Sequence, residues 1–156
     1  ILLGGNSSSR LFSEIREKLG LAYYVYSWSD QLGDCGYLGM AAGVPHDKLD
    51  AVVENIVSIC SKIKNGGISS SDLDSAKSYL RGQTALRFEA SDEIANFVAG
   101  QELFYNEIKQ PSDILNKIEA VGKEDILKIA QELFQPEKLS LAAEGRHEGG
   151  EKPNKF

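Results

Sequence analysis

Hydrophobic residues recur along this sequence with two different periods. The longer period, three or four positions, predicts six amphipathic helices. These cover residues 8–19, 46–64, 69–86, 91–105, 111–118 and 122–134. The shorter period, two positions with many β-branched and aromatic residues, predicts antiparallel strands over residues 21–29 and 36–44. A short apolar run predicts a third strand at residues 139–143.

Strands at the two ends with helices between them favour the α+β class, with an antiparallel sheet packed against helices in two layers. A chain of 156 residues suits one hydrophobic core. We therefore predict a single domain over residues 1–146 and a flexible C-terminal tail at 147–156, which is poor in apolar residues. Leu3 runs into Gly4 and Gly5 like the last turn of a helix. We expect the complete protein to carry a strand and a helix before this point.

The first predicted strand divides its side chains between two faces. The bulkier face carries Tyr24, Tyr26 and Trp28, and we expect it to pack against the helices. The opposite face should be open, and it carries Tyr23, Val25 and Ser27.

Charge and composition argue against several classes of partner. The chain has 17 Lys plus Arg against 23 Asp plus Glu, a formal net charge of -6, which repels polyanions such as nucleic acids. No apolar stretch reaches the roughly 18 to 20 residues that cross a bilayer, so we expect no membrane partner. Cys35 and Cys60 cannot form a disulfide framework, and Cys60 lies on an apolar helical stripe that predicts a buried thiol.

No self-contained catalytic site is visible among the usual motifs. The two histidines, His46 and His147, lack a second histidine three or four positions away, so there is no local zinc motif. We interpret both as solvated side chains. The glycines do not form a phosphate-binding loop, and acids such as Asp72 and Asp92 lie at helix starts, where they favour a capping role.

One segment carries a more specific signal. Residues 7–26 read SSSRLFSEIREKLGLAYYVY, preceded by Leu3-Gly4-Gly5. This run resembles the C-terminal half-domain of the inverzincin zinc metallopeptidases, the family of pitrilysin, insulysin and mitochondrial processing peptidase. The likeness continues at Phe88-Glu89-Ala90-Ser91 and at Leu139-Ser140-Leu141, so it covers residues 1 to about 146.

The resemblance implies a metallohydrolase half-domain of the mitochondrial processing peptidase and LuxS-like type, here lacking its first strand and helix. Family members close two such halves around a peptide, and one half alone holds zinc through His-x-x-Glu-His. This chain lacks that motif, so the resemblance implies the other half, with zinc in the partner half and no cofactor here. In active members this half supplies an Arg and, seven residues later, a Tyr. Arg16 and Tyr23 match both the residue types and the spacing.

These expectations have alternatives. Arg16 could be an ordinary solvated charge, Tyr23 could be a core aromatic, and a shift of one residue in strand register would give the role to Tyr24. The resemblance implies a peptide or unfolded polypeptide substrate and a catalytic half in cis or in trans, with hydrolysis absent from this chain alone. A cytoplasmic location is the expectation from bacterial family members. Two rival hypotheses remain. The chain could be a catalytically inactive scaffold of the same family, or an interaction module whose exposed sheet edge pairs with another chain, for example a second copy in a homodimer.

Overall fold

The two strands of the hairpin form where the period-two pattern predicts them. A computed structural model of the chain describes residues 1–105 and 108–145. Strand β1 covers Tyr24–Gln31 and strand β2 covers Gly36–Gly43, and they pair antiparallel with Tyr24 opposite Gly43. Aromatic and β-branched residues favour this extended conformation because their side chains pack well on a pleated surface.

Five α-helices follow the hairpin in the described part of the chain, all close to their predicted bounds. They are α1 (Leu49–Lys64), α2 (Ser70–Arg87), α3 (Ser91–Tyr105), α4 (Pro111–Ala120) and α5 (Lys123–Leu133). Local chemistry sets their starts. Before α2, the Ser69 side chain accepts from the Asp72 backbone N–H at 3.1 Å, and the Asp72 carboxylate accepts from the Ser69 N–H at 2.8 Å. None of the described helices is long and apolar enough to span a membrane.

The first predicted helix differs from expectation in its type and its start. It is a π-helical segment over Phe12–Lys18, here called the first helix, rather than an α-helix over 8–19. No side chain caps the start of this helix. The backbone N–H groups of Arg10 and Leu11 donate instead to the carbonyls of Leu2 and Leu3 at 3.1 and 2.9 Å. Because these N–H groups already have carbonyl partners, they need no side-chain cap.

The prediction of a third strand at residues 139–143 is wrong. Leu139 has extended dihedral angles, φ -80° and ψ 128°, but no strand pairs with this segment in the described part of the chain. A strand is defined by hydrogen bonds to a neighbouring strand, so an apolar composition alone does not create one. Leu139 and Leu141 remain exposed.

Two compact units make up the described chain: residues 1–67 with 127 onward, and residues 68–126. In the first unit, buried side chains from the first helix, β1 and α1 share a core, and they include Leu11, Ile15, Val25, Val52, Ile59 and Ile63. In the second unit, an Arg81–Glu119 ion pair of 2.5 Å joins α2 to α4.

The α+β class, with an antiparallel sheet against helices, is confirmed. A single domain over 1–146 stays a prediction, and the tail at 147–156, with His147, lies outside the described residues.

Candidate functional site

The two faces of β1 are reversed relative to the sequence expectation. Val25 is 5% exposed and belongs to the core, whereas the row Tyr24, Tyr26 and Trp28 stays 48%, 47% and 38% exposed. The N-terminal backbone lies close to Ser27, because the Ser27 N–H donates to the Gly4 carbonyl at 2.9 Å. Small side chains are needed on the side that the N-terminal turn approaches closely. The large rings therefore occupy the other face, and the prediction that they meet the helices is wrong.

A glycine turn connects the first helix to β1. Gly20 has φ +60°, in the left-handed region that glycine adopts without steric penalty. The Leu21 N–H donates to the Ile15 carbonyl at 3.0 Å across this turn, a bond that closes the end of the helix. The turn thus fixes the path between Arg16, in the last turn of the helix, and Tyr23, just before the strand.

Arg16 presents its side chain to solvent on the first helix. Its guanidinium carbon lies 4.7 Å from the centre of the Phe12 ring, a cation–π contact that orients the side chain without neutralising its charge. By contrast, neighbouring Glu14 forms an ion pair with Lys62 at 3.4 Å. No carboxylate pairs with Arg16 among the residues the structure describes, so its five donors stay available for an anion or a carbonyl oxygen.

Tyr23 is 82% exposed, so the alternative that it is a core aromatic is wrong. Its backbone N–H donates to the Gly43 carbonyl at 2.8 Å, which anchors the residue at the end of the sheet. Its ring lies edge-on to that of Tyr24, with 6.5 Å between ring centres. The backbone is therefore held while the phenol hydroxyl is presented to solvent.

A shallow cleft of about 270 Å³ runs between the first helix and β1. The helix contributes Phe12 and Arg16, and the strand contributes Tyr24, Val25 and Tyr26, with residues 4–7 forming the remaining wall. The structure thus brings Arg16 together with Tyr24, the alternative tyrosine, in one lining. Tyr23 is not part of this lining and lies beside it, against Tyr24.

The described residues contain no cluster of three His, Cys, Asp or Glu side chains that could hold a metal ion. His46 is exposed at the start of a short 3-10 helix, His46–Lys48. Cys60 is buried on α1, as its position on the apolar stripe predicts, and its thiol donates to the Met40 sulfur at 3.8 Å. The side chains that the cleft and its surroundings offer are the Arg16 cation, tyrosine phenols and aromatic rings.

Sequence reasoning missed the exposed surface formed by Tyr26 and Trp28. A signal for it was present in the partner strand, because Gly39 and Gly43 lie opposite Trp28 and Tyr24. A side chain on either glycine would overlap those rings. The two glycines therefore leave room for the rings of Trp28 and Tyr24 to lie across the strand pair.

The fold and the comparisons with known proteins together define a class: the inactive half-domain of the M16 zinc peptidases. The chain belongs to the peptidase M16 inactive domain family, whose model matches residues 1–80. The inverzincin resemblance is thereby confirmed.

Two bacterial relatives named as zinc proteases agree with this assignment. The chain is 33% identical over 133 residues to a Bacillus subtilis protein named as an uncharacterized zinc protease, covering 85% of this chain and 32% of that protein. It is 33% identical over 132 residues to a similarly named Streptomyces coelicolor protein, covering 85% and 29%. The chain thus spans about a third of the length of these relatives.

Solved structures show the same fold. A protease from Helicobacter pylori superposes with a TM-score of 0.76 at 30% identity, covering 86% of this chain and 32% of that one. A peptidase M16 inactive domain from Pseudomonas fluorescens gives a TM-score of 0.74 at 22% identity, covering 85% and 32%, and this likeness concerns the fold alone.

Proposed function

We propose that this chain is the non-metal-binding half of a zinc-dependent endopeptidase and that Arg16 and Tyr23 assist peptide binding and hydrolysis. The observation that carries the proposal is the exposure of both side chains on either side of one helix–turn–strand connection. Among the described residues, no carboxylate pairs with Arg16. The catalytic half would be supplied in cis or in trans. When bound there, zinc would activate the water that attacks the peptide.

Arg16 has the properties of a substrate-binding group. A guanidinium offers a planar fork of donors that can grip a carbonyl or carboxylate oxygen in two bonds. Its contact with the Phe12 ring restrains the side chain and therefore reduces the entropy lost when substrate binds. Arg16 is thus proposed to hold the peptide near the reacting carbonyl.

Tyr23 has the properties of a transition-state donor. As the peptide carbonyl is attacked, negative charge develops on its oxygen, and a phenol O–H aimed at that oxygen stabilises it more than it stabilises the ground state. The anchored backbone and the exposed phenol support this role. Tyr24 remains the alternative, because it shares the cleft lining with Arg16.

The experiment combines the chain with a His-x-x-Glu-His half and measures cleavage of a fluorogenic peptide. Tyr23→Phe removes only the hydroxyl, and we expect kcat to fall by about 100-fold to 1,000-fold, as for other lost transition-state donors. Arg16→Ala should lower kcat/KM by about 10-fold to 100-fold, the loss of a charge-assisted hydrogen bond.

Matched variants separate these roles from general damage. Lys18→Ala removes an exposed cation from the same helix, and Tyr24→Phe removes the neighbouring hydroxyl; both should leave turnover near the unmodified value. Full activity of Tyr23→Phe would refute the role of Tyr23, and a loss confined to Tyr24→Phe would transfer that role to Tyr24. If neither Arg16→Ala nor Tyr23→Phe changes peptide cleavage by an active pair, the result would support the scaffold hypothesis instead.

A further inference from the structure

The outer face of α1 carries a shallow groove of about 720 Å³ within the first compact unit. Exposed residues line it: Glu54, Val57, Ser58, Ser61, Lys62, Asn65 and Gly67. The core uses the other side of this helix, where Val52, Ile59 and Ile63 are buried. The groove is therefore a surface of α1 that the packing of its own unit leaves open.

Two ridges of side chains form the groove. Residues four positions apart on an α-helix line up as ridges, and in the commonest packing of two helices such ridges run alongside each other. One ridge here is Glu54, Ser58 and Lys62, and the next is Val57, Ser61 and, just after the helix, Asn65. The small side chains of Ser58 and Ser61 lie in the middle, so a second helix can approach closely there.

The first ridge carries opposite charges at its two ends. Glu54 precedes Ser58 by four residues and Lys62 follows it by four, so the two charged residues lie about 6 Å to either side of Ser58 along the helix axis. In the part of the chain that the structure describes, no cation pairs with Glu54. Lys62 contacts Glu14 at 3.4 Å, yet its side chain stays 55% exposed. The ridge is thus complementary in charge to its own copy running in the opposite direction.

We propose that two copies of this chain associate through α1, as an antiparallel helix pair with two-fold symmetry that crosses at Ser58. The symmetry places Glu54 of each copy beside Lys62 of the other, so the same ion pair forms twice. Each Lys62 then lies between Glu14 of its own copy and Glu54 of the second copy. The exposed Val57 side chains add apolar contact near the crossing. This inference concerns assembly and does not depend on the proposed catalytic roles.

Sedimentation velocity of the full 156-residue chain over a wide range of protein concentration tests the association. Salt of about 0.15 M screens the long-range repulsion between two chains of net charge -6. We expect a shift from monomer to dimer as concentration rises. Glu54→Lys puts two lysines side by side at both ends of the helix pair, and it should lower the dimer affinity at least about tenfold. Lys62→Glu should have the same effect, because it puts two glutamates side by side.

Mixing the two single variants separates this helix pair from other modes of association. A mixed dimer of Glu54→Lys with Lys62→Glu contains both ion pairs again, each with one lysine and one glutamate. The mixture should therefore dimerise with nearly the affinity of the unmodified chain, although neither variant does so alone. Lys128→Glu reverses an exposed cation on α5, away from the groove, and should dimerise like the unmodified chain.

A chain that stays monomeric at every concentration would overturn the inference. A dimer that Glu54→Lys does not weaken would overturn it as well, because association would then use another surface, such as the edge of the sheet. Folded single variants that fail to associate when mixed would also contradict it. Circular dichroism establishes that each variant is folded. If Lys62→Glu is not, because it loses its contact with Glu14, Glu54→Lys still provides the test.

Discussion

Cys60 shows how one buried side chain links the core to solution pH. Its thiol contacts the Met40 sulfur between α1 and β2, and desolvation in this site raises the pKa of the Cys60 thiol to about 11, from an ordinary value of 9.0. Burial disfavours the charged thiolate because it removes the water that would stabilise the charge. Cys35, in the loop of the hairpin, is exposed.

This raised pKa predicts a pH-dependent loss of stability. The unfolded chain ionises Cys60 at the ordinary value, so above it the unfolded state binds fewer protons than the folded state. The contribution of Cys60 is therefore complete below pH 9.0 and is lost as pH rises toward about 11. In urea unfolding experiments, the free energy of unfolding should fall more steeply over this range in the unmodified chain than in Cys60→Ala.

The comparison of slopes cancels the titration of lysines and tyrosines, which both proteins share. Cys35→Ala serves as the matched control and should keep the steep slope, because that thiol is exposed in the folded state as well. Parallel profiles for the unmodified chain and Cys60→Ala would contradict the assignment of a raised pKa to Cys60.

At the scale of elements, the glycine turn after the first helix controls the geometry of the candidate site. Gly20 has φ +60° and nothing lies within 4 Å of an added Cβ, so a substitution there affects backbone conformation alone. Gly20→Ala should lower the free energy of unfolding by about 1 to 2 kcal/mol, the penalty of a left-handed alanine. Urea unfolding measures this loss directly.

Gly82 supplies a control of opposite sign. It lies inside α2, and nothing lies within 4 Å of an added Cβ there. Gly82→Ala should therefore raise stability by about 0.5 to 1 kcal/mol, since alanine is the better helix former. A destabilisation equal to that of Gly20→Ala would show that these losses do not come from the left-handed turn.

Elements whose determinants are local could be predicted from sequence. The start of α2 follows from Ser69 and Asp72, three residues apart, and its capping box is present as the residues indicate. The hairpin likewise follows from alternation within two adjacent segments. The family motif identified Arg16 and Tyr23 as candidates, and their exposure is consistent with that role without testing it.

Elements that depend on distant partners could not be predicted in this way. Residues 139–143 are apolar, but whether they form a strand depends on a neighbour elsewhere in the chain. The orientation of β1 depends on Gly4 approaching Ser27, a contact that alternation does not encode. Ring size was therefore a poor guide to which face is buried.

At the scale of the whole molecule, charge and composition bear on partners. A net charge of -6 repels polyanions, so the positive potential needed for an acidic peptide must be local. Arg16 supplies such a local charge in the cleft between the first helix and β1. Attraction of an acidic peptide should thus come from this short-range charge and not from long-range steering by the whole chain.

We propose that zinc belongs to the His-x-x-Glu-His half and that this chain folds without it. A ligand stabilises a protein only by binding the folded state better than the unfolded state. The melting temperature of this chain should therefore be the same in excess EDTA and in excess zinc, and neither condition should yield peptide cleavage. When a His-x-x-Glu-His half is added, EDTA should abolish cleavage while the melting transition of this chain stays in place. A melting temperature of the isolated chain that falls in EDTA would contradict this proposal, because it would place a structural metal on the half that is proposed to have none.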